Sequence, residues 1–305
     1  MRRMAPKPPS SPVLFIVGPT TSGKTSAALG LAERLPIEVI NADSRQVYRR
    51  MSIGTAKPTA VEQSVAPHHL FDVVDLDEPF SLAAFLDFAR AVIAEARERD
   101  RLPVVVGGTG QYVWALAEGW QVPRVTAQPD LRRRLEEEGA EALHARLRRI
   151  DPSAADAIHP NNVRRIVRAI EVFEATGQRF SDQQRREDPP FTPRLAGVLM
   201  PRGELHLRID QRIARMVTDG WVEEVRALLA MGYTPELPAF SSAGYREIAA
   251  HLAGELSLDE ALERARIAHR ALVRRQALWF RASDERIAWS DNPAELLAAA
   301  EAALG

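Results

Sequence analysis

Eight consecutive residues, Gly18-Pro19-Thr20-Thr21-Ser22-Gly23-Lys24-Thr25, satisfy the pattern G-x-x-x-x-G-K-[ST] in full. Glycine at both ends lets a loop wrap so that its backbone N–H groups point into a phosphate-sized nest. The start of a following helix adds its dipole, Lys24 a mobile positive charge, and the Thr25 hydroxyl a ligand for Mg2+. The alternative, a glycine-rich turn that matches by accident, is disfavoured because the loop follows an apolar strand and opens a helix. A site for a diphosphate or triphosphate is indicated. P-loop ATPases usually hold Mg2+ with an aspartate at the end of a second apolar strand. Here the candidate strand Val104-Val105-Val106 runs into Gly107-Gly108-Thr109-Gly110 instead, which argues against an NTP-driven machine. Asp43 is the carboxylate that matters: it follows the strand Ile37 to Ile40, and strand C-terminal ends border the ligand crevice in doubly wound sheets. Alone it would read as an Asx turn or a helix cap; beside a P-loop it reads as a group facing the bound ligand.

The elements that must position these residues are legible from their patterning. Val13 to Val17, Ile37 to Ile40 and Val104 to Val106 are short, wholly apolar runs separated by helical stretches. They predict a parallel sheet covered on both faces, a P-loop α/β fold. Ser81 predicts the cap of a helix that runs to about Arg99. From about 121 to 192 helices dominate, near Asp130 to Ile150 and Asn161 to Thr176, the latter stopped by Gly177. Leu195 to Met200 reads as a strand returning to the sheet, and a long helix follows from about Leu258 to Arg281. The expected organisation is a disordered tail at 1–12, an α/β core at 13–120 and 193–305, and a helical insertion domain at 121–192.

Composition narrows the classes. The 305 residues contain no cysteine, which excludes a disulfide framework, a thiolate zinc site and a cysteine nucleophile. No apolar run approaches the roughly 20 residues of a membrane helix, so a cytoplasmic protein with no membrane partner is expected. The net charge of −1 means that any grip on nucleic acid must be local. Of 40 basic residues only Lys7, Lys24 and Lys57 are lysine. His68 and His69 lack enough acidic neighbours for a metal site, and Trp114, Trp120 and Trp221 read as core.

The run Ala42-Asp43-Ser44-Arg45-Gln46-Val47-Tyr48-Arg49, with Ile53-Gly54-Thr55-Ala56-Lys57-Pro58, resembles the bacterial tRNA dimethylallyltransferases (isopentenyltransferases). So do His68-His69-Leu70 with Asp72, Gly107-Gly108-Thr109-Gly110 with Tyr112, and Arg165 with Arg168-Ala169-Ile170-Glu171. Gly244-Tyr245-Arg246-Glu247 and Arg275-Gln276 with Trp279-Phe280-Arg281 extend the likeness over nearly the whole chain. The family usually has Thr where His269 stands and Lys where Arg274 stands.

The resemblance implies transfer of a dimethylallyl group from dimethylallyl diphosphate to N6 of the adenosine 3′ of the anticodon, position 37 of the tRNA, with Mg2+ as cofactor and no obligatory protein partner. Asp43 would be the general base, with Thr20 beside it, because an adenine N6 amine is a poor nucleophile that must shed a proton. Gly18 to Thr25, Arg168 and Arg226 would hold the diphosphate and stabilise its developing charge. Contacts to tRNA would come from Asp43, Ser44, Arg45, Gln46 and Thr109, and from Arg164, Arg165, Ile166, Val167 and Arg168. The apolar stripe Val163, Ile166, Val167, Ile170 and Phe173 leaves Arg164, Arg165 and Arg168 on the opposite face. Six arginines and no acid occupy 264–281, with Arg266, Arg270, Arg274 and Arg281 along one stripe, a candidate footprint for RNA. Prenylation of a free adenine nucleotide, a P-loop kinase that uses Asp43 on a hydroxyl, and non-enzymatic RNA binding are the rivals. The insertion and the arginine stripes favour a macromolecular acceptor.

In a chain this biased towards arginine, a lysine at position 24 has a chemical reason. A forked planar guanidinium does not replace a compact ammonium inside a tight loop. Lys24→Arg is therefore expected to lose most turnover, as Lys24→Ala does; near-native steady-state rates in the arginine variant would refute this.

Overall fold

The structure, a computed structural model, describes residues 11–304. Strands β1 (Pro12–Val17), β2 (Ile37–Asn41), β3 (His68–His69), β4 (Leu102–Gly107), β5 (Thr192–Val198) and β6 (Ile287–Ser290) form one sheet. Their order is β3-β2-β4-β1-β5-β6, and every neighbouring pair is parallel. Two of these strands, β3 and β6, are not evident in the sequence. The first ten residues of the expected tail lie outside the described residues, and Pro12 already belongs to β1.

Side chains alternate across β1. Leu14 and Ile16 pack with Val104 and Val106 against the helices Lys24–Ala32 and Leu296–Leu304. The other face carries Phe85 from the helix Leu82–Glu98, stacked on Tyr112 of the helix Gly110–Ala117 at 4.1 Å between ring centroids. The Ser81 hydroxyl accepts from Ala84 N, capping the first of these helices as expected. A second core joins Val47, Tyr48 and Met51 to the helices Arg202–Thr218, Trp221–Ala230, Tyr245–Leu252 and Leu258–Trp279, around the buried rings of Trp221, Tyr245 and Phe240.

The contact pattern divides the chain into two compact units. One comprises the described chain up to Ala117 and from Pro190 onward; the other is Glu118–Pro189, against the 121–192 read from sequence. The second unit is helical. The expected helix at 130–150 is two, Pro129–Glu137 and Ala140–Ile150, separated at Gly139, whose φ of 82° no helix tolerates. The helix Val163–Thr176 is capped by Asn162, whose side chain accepts from Arg165 N, and stopped by Gly177 in the left-handed region.

Within that unit the fully buried Glu171 is the polar anchor. Its carboxylate accepts from Arg132 Nε and Nη2, both at 2.8 Å, from Arg168 Nη1 at 2.6 Å and from the backbone of Gln128 at 2.7 Å. These charged donors outweigh burial and hold its pKa below the ordinary carboxylate value. Glu171→Ala strands two guanidinium groups and one N–H. Because Arg132 is partly exposed, the expected loss is about 2 kcal/mol, below the full cost of breaking a buried pair. Urea unfolding checks this, and an unchanged midpoint would refute the anchor.

Candidate active site

The C-terminal ends of β2, β4 and β1 lie side by side, because Val17 pairs with Gly107 and Asn41 with Val106. The three loops that leave them are the P-loop, the 107–110 loop and the segment that starts at Asp43. Strand register alone therefore brings these groups to one edge.

The P-loop is held by its own residues and by two helices distant in sequence. Gly23 takes a φ of 84° to turn into the helix Lys24–Ala32. Lys24 Nζ donates to Pro19 O at 2.6 Å, so its ammonium lies across the loop. The backbone N–H of Thr20 donates to Gln276 Oε1 at 2.9 Å, and Arg212 Nη1 donates to the Thr20 hydroxyl at 3.0 Å. Thr20 is thus the residue to which the rest of the body is tied.

Asp43 is fixed in a tight turn. Its N–H donates to Asn41 Oδ1 at 2.9 Å, and its Oδ1 accepts from Arg45 N at 2.8 Å. The Asx-turn reading is therefore correct as geometry, and it leaves Oδ2 for other partners. Electrostatically, Asp43 acts on both Lys24 and Arg212. Burial pulls Lys24 down to about 8; Asp43 opposes that shift and Arg212 adds to it. Burial also lowers Arg212, again against Asp43, but from so high a starting value that it stays charged. Two cations and one carboxylate face one another, so an arriving anion supplies the missing negative charge. His269 lies with its ring centroid 6.3 Å from that of Trp221. Burial, then the positive Arg212, push it down to about 4, so its imidazole is neutral.

The loop that replaces the Mg2+-binding aspartate is a contact surface. A Cβ on Gly107 would fall 2.2 Å from Ala42 O, one on Gly108 2.2 Å from Gln276 Nε2, and one on Gly110 2.2 Å from Trp279 Cγ. Backbone and side chains from two directions close on this loop, and only glycine fits. Between them, Thr109 Oγ1 accepts from Ser44 N at 3.0 Å and so steadies the residue after Asp43.

Several sequence-predicted roles need correction. Arg226 is exposed, its Nε donating to Glu223 at 3.0 Å, whereas the arginine hydrogen-bonded to the loop is Arg212. Arg168 does not serve as a free phosphate ligand: besides Glu171, its Nη2 donates to Pro123 O at 3.3 Å and Val125 O at 3.0 Å. Ile166 and Val167 are buried in the core of the second unit and present no side chain to RNA. Arg164 and Arg165 are exposed. The amide nitrogen of Gln46 donates to Thr55 O at 3.0 Å and Ala56 O at 2.9 Å, so Gln46 braces a turn and does not read a base through that group. Arg45 reaches Pro238 O at 3.0 Å. In the arginine stripe, Arg270 Nη2 pairs with Asp210 at 3.1 Å and Arg266 with Glu263 at 3.2 Å. His69 bonds Glu38 and His68 bonds Ala66 O, both backing the sheet edge.

Missed by sequence reasoning were Arg212 and Gln276. Arg212 sits in an ordinary-looking run of a helix that alternates charge, with nothing local to single it out. Gln276 was visible as part of a motif, but its partner is 256 residues away.

Comparison with known proteins fixes the family. The sequence pattern of the IPP transferase family matches residues 46–283, and that of isopentenyl transferase matches 11–69. The chain belongs to the IPP transferase family. It is 52% identical over 286 residues to a tRNA dimethylallyltransferase of Chloroflexus aurantiacus, covering 92% of this chain and 97% of that one. A Roseiflexus sp. relative of the same name is 49% identical over 88% of this chain and 90% of its own. Among solved structures, the tRNA isopentenylpyrophosphate transferase of Bacillus halodurans superposes with a TM-score of 0.71 at 38% identity, covering 97% of each chain. A eukaryotic dimethylallyltransferase described as acting on tRNA gives 0.78 at 27% identity, over 92% of this chain and 74% of that one.

The geometry separates the two arginines experimentally. Arg212→Gln is expected to weaken inorganic diphosphate binding about 10- to 100-fold, the worth of a charge-assisted contact. Arg226→Gln should change it less than about twofold, as for an exposed ion pair. Calorimetric titration of both variants decides, and the reverse ranking would return Arg226 to the site.

Proposed function

We propose that this IPP transferase family member moves the dimethylallyl group of dimethylallyl diphosphate to N6 of the adenosine 3′ of the anticodon in tRNA, releasing diphosphate, in the cytoplasm. The observation that carries the reading is the meeting at one end of the sheet of a P-loop crossed by Lys24 and bonded by Arg212 with the turn that holds Asp43. The cations suit an anionic leaving group, and the carboxylate suits an acceptor that must lose a proton.

In this reading the diphosphate lies in the P-loop nest with Lys24 and Arg212 on its oxygens. As the C1–O bond of the donor lengthens, charge grows on that oxygen, and both cations already face it. The N6 lone pair forms the new C–N bond, and the proton lost from N6 passes to Asp43. Gln276 and Arg212 hold Thr20, so the nest keeps its shape as charge moves. Ser44 and Thr109 hold the Asp43 turn from the other side.

Mg2+ fits this donor set. Among the described residues no three His, Asp or Glu groups come together as a metal cage, and a Mg2+ that keeps waters and binds phosphate oxygens needs none. Thr25 is the protein hydroxyl that would hold it. When bound, the ion would offset negative charge on the diphosphate. The exposed Arg164 and Arg165 of the second unit are suited to RNA phosphates.

A kinase would need its metal-binding acid at the end of β4, where the packed glycine loop stands. Incubation with tRNA and labelled dimethylallyl diphosphate, beside AMP and labelled ATP controls, tests the reading; label on AMP or phosphate on an acceptor would refute it. Asp43→Asn is nearly isosteric and should keep both substrates bound while kcat falls about 10²–10⁴-fold. Single-turnover rates that survive while tRNA affinity collapses would make Asp43 a binding residue instead.

A further inference from the structure

Asn41, the last residue of β2, is 1% exposed, and its side-chain amide is fully engaged. Its Oδ1 accepts from Asp43 N at 2.9 Å, and its Nδ2 donates to Asp43 O at 3.1 Å and to Leu70 O at 2.9 Å. One side chain therefore holds both main-chain polar groups of Asp43, and its remaining hydrogen anchors it to a separate segment. The Asp43 carboxylate is in turn fixed at Oδ1 by Arg45 N.

The anchoring segment is strained. Leu70 and Asp72 take φ values of 64° and 53°, the left-handed region that residues with a side chain enter at a cost. Other contacts over-determine them. Asp72 N donates to Gln46 O at 3.3 Å, Val73 N to Val47 O at 2.8 Å, and the Asp72 carboxylate accepts from the buried Lys57 Nζ at 2.7 Å. Residues 70–73 thus run beside 41–47 as a strap, held by Asn41 at one end and by Gln46, Val47 and Lys57 at the other. Backbone strain kept in this way clusters at functional sites. On the opposite side, Ala42 N donates to Val106 O at 2.8 Å and Ala42 O accepts from Thr109 N at 3.1 Å. Asp43 therefore stands between the glycine loop and the strap, and Asn41 is its link to the strap.

We propose that Asn41 is a positioning residue for the transfer: it aims the Asp43 carboxylate by fixing the Asp43 peptide against the Leu70–Asp72 strap. This rests on the reading of Asp43 as the base. The place demands one acceptor and two donors on a short side chain, which asparagine supplies. Ionised aspartate has no donor, and serine has only one. A base must meet the N6 proton as the C–N bond forms, and a displacement of about 1 Å at such a group costs on the order of 100-fold in rate.

The test compares Asn41→Ala, Asn41→Asp, Asp43→Asn and the double variant Asn41→Ala/Asp43→Asn, each in the full-length protein with tRNA and labelled dimethylallyl diphosphate. Asn41→Asp keeps the shape but replaces the two donors by an acceptor. Both Asn41 variants should lose about 10- to 100-fold in kcat, with KM for each substrate and affinity for inorganic diphosphate within about twofold of wild type. The double variant should be no slower than Asp43→Asn alone, to within about twofold, because a residue that aims a base has no effect once the base is gone. Losses that multiply in the double variant would overturn the proposal. So would a fall in diphosphate affinity that tracks the fall in kcat, since that marks a site that has come apart. If urea unfolding shows that Asn41→Ala does not fold, Asn41→Asp/Asp43→Asn completes the same cycle. If Asp43→Asn transfers label at the wild-type rate, the base reading falls and this one with it. If Asp43→Asn is slow while the Asn41 variants keep the wild-type rate, only the role of Asn41 falls.

Discussion

Thr20 is held on both of its polar groups by side chains that enter the chain about 190 and 256 residues later. Its N–H is spent on Gln276 and its hydroxyl accepts from Arg212. A glycine-rich loop has little conformational preference of its own, and ordering it costs backbone entropy that must be offset by contacts. Here those contacts come from the helices Arg202–Thr218 and Leu258–Trp279, which pack around Trp221 and Tyr245. The nest thus exists in full only when the helical half of the first unit has docked. Asp210 ties to Arg270 across the same two helices and fixes the register that aims Arg212 and Gln276.

The Asp43 side of the site is built by a different device. Glu224 accepts from the backbone of Ser52 and Ile53, each at 2.7 Å, and from the Tyr245 hydroxyl at 2.7 Å. Lys57 is buried against Asp72 and Tyr48 O, where burial lowers its pKa and Asp72 restores part of it. Gln46 closes the same segment from within. The long motif from Ala42 to Pro58 is therefore mostly a brace. Asp43 stands at its start, beside the P-loop strand ends, and the surrounding polar residues hold its turn still.

How much of this is legible in the sequence depends on the range of each contact. The P-loop, the four longer strands, the cap at Ser81 and the stop at Gly177 are local patterns, and the sequence predicts them to within a few residues. The edge strands His68–His69 and Ile287–Ser290 are too short for periodicity, and β2 and β5 impose them. Asp43 is legible because strand-end position and residue type agree. Arg212 is not, because its meaning comes from packing between helices. Arg168 and Gln46 show what residue type leaves unsaid: a polar residue within a functional motif is as readily a structural donor as a ligand, and both have donor partners within the protein. In Ile166 and Val167 the apolar periodicity already marked a buried face, and the structure follows the periodicity.

The arginines show why a chain of net charge −1 can suit a polyanion. Many have acidic partners: Arg99 on Glu38, Arg132 on Glu171, Arg146 on Glu138 and Glu174, Arg270 on Asp210. Such pairs cancel charge at long range while they order the surface. Charge that acts on an RNA must come from arginines left out of these pairs, and screening at physiological salt confines each to about 8 Å. Arg164 and Arg165 in the second unit, and Arg274, Arg275 and Arg281 in the first, are such groups. Net charge is then the wrong measure, since a near-neutral total keeps weak binding to unrelated polyanions low. What a polyanion meets is set by where the unpaired arginines stand, and three of them, Arg274, Arg275 and Arg281, stand at the end of the helix that also holds the P-loop.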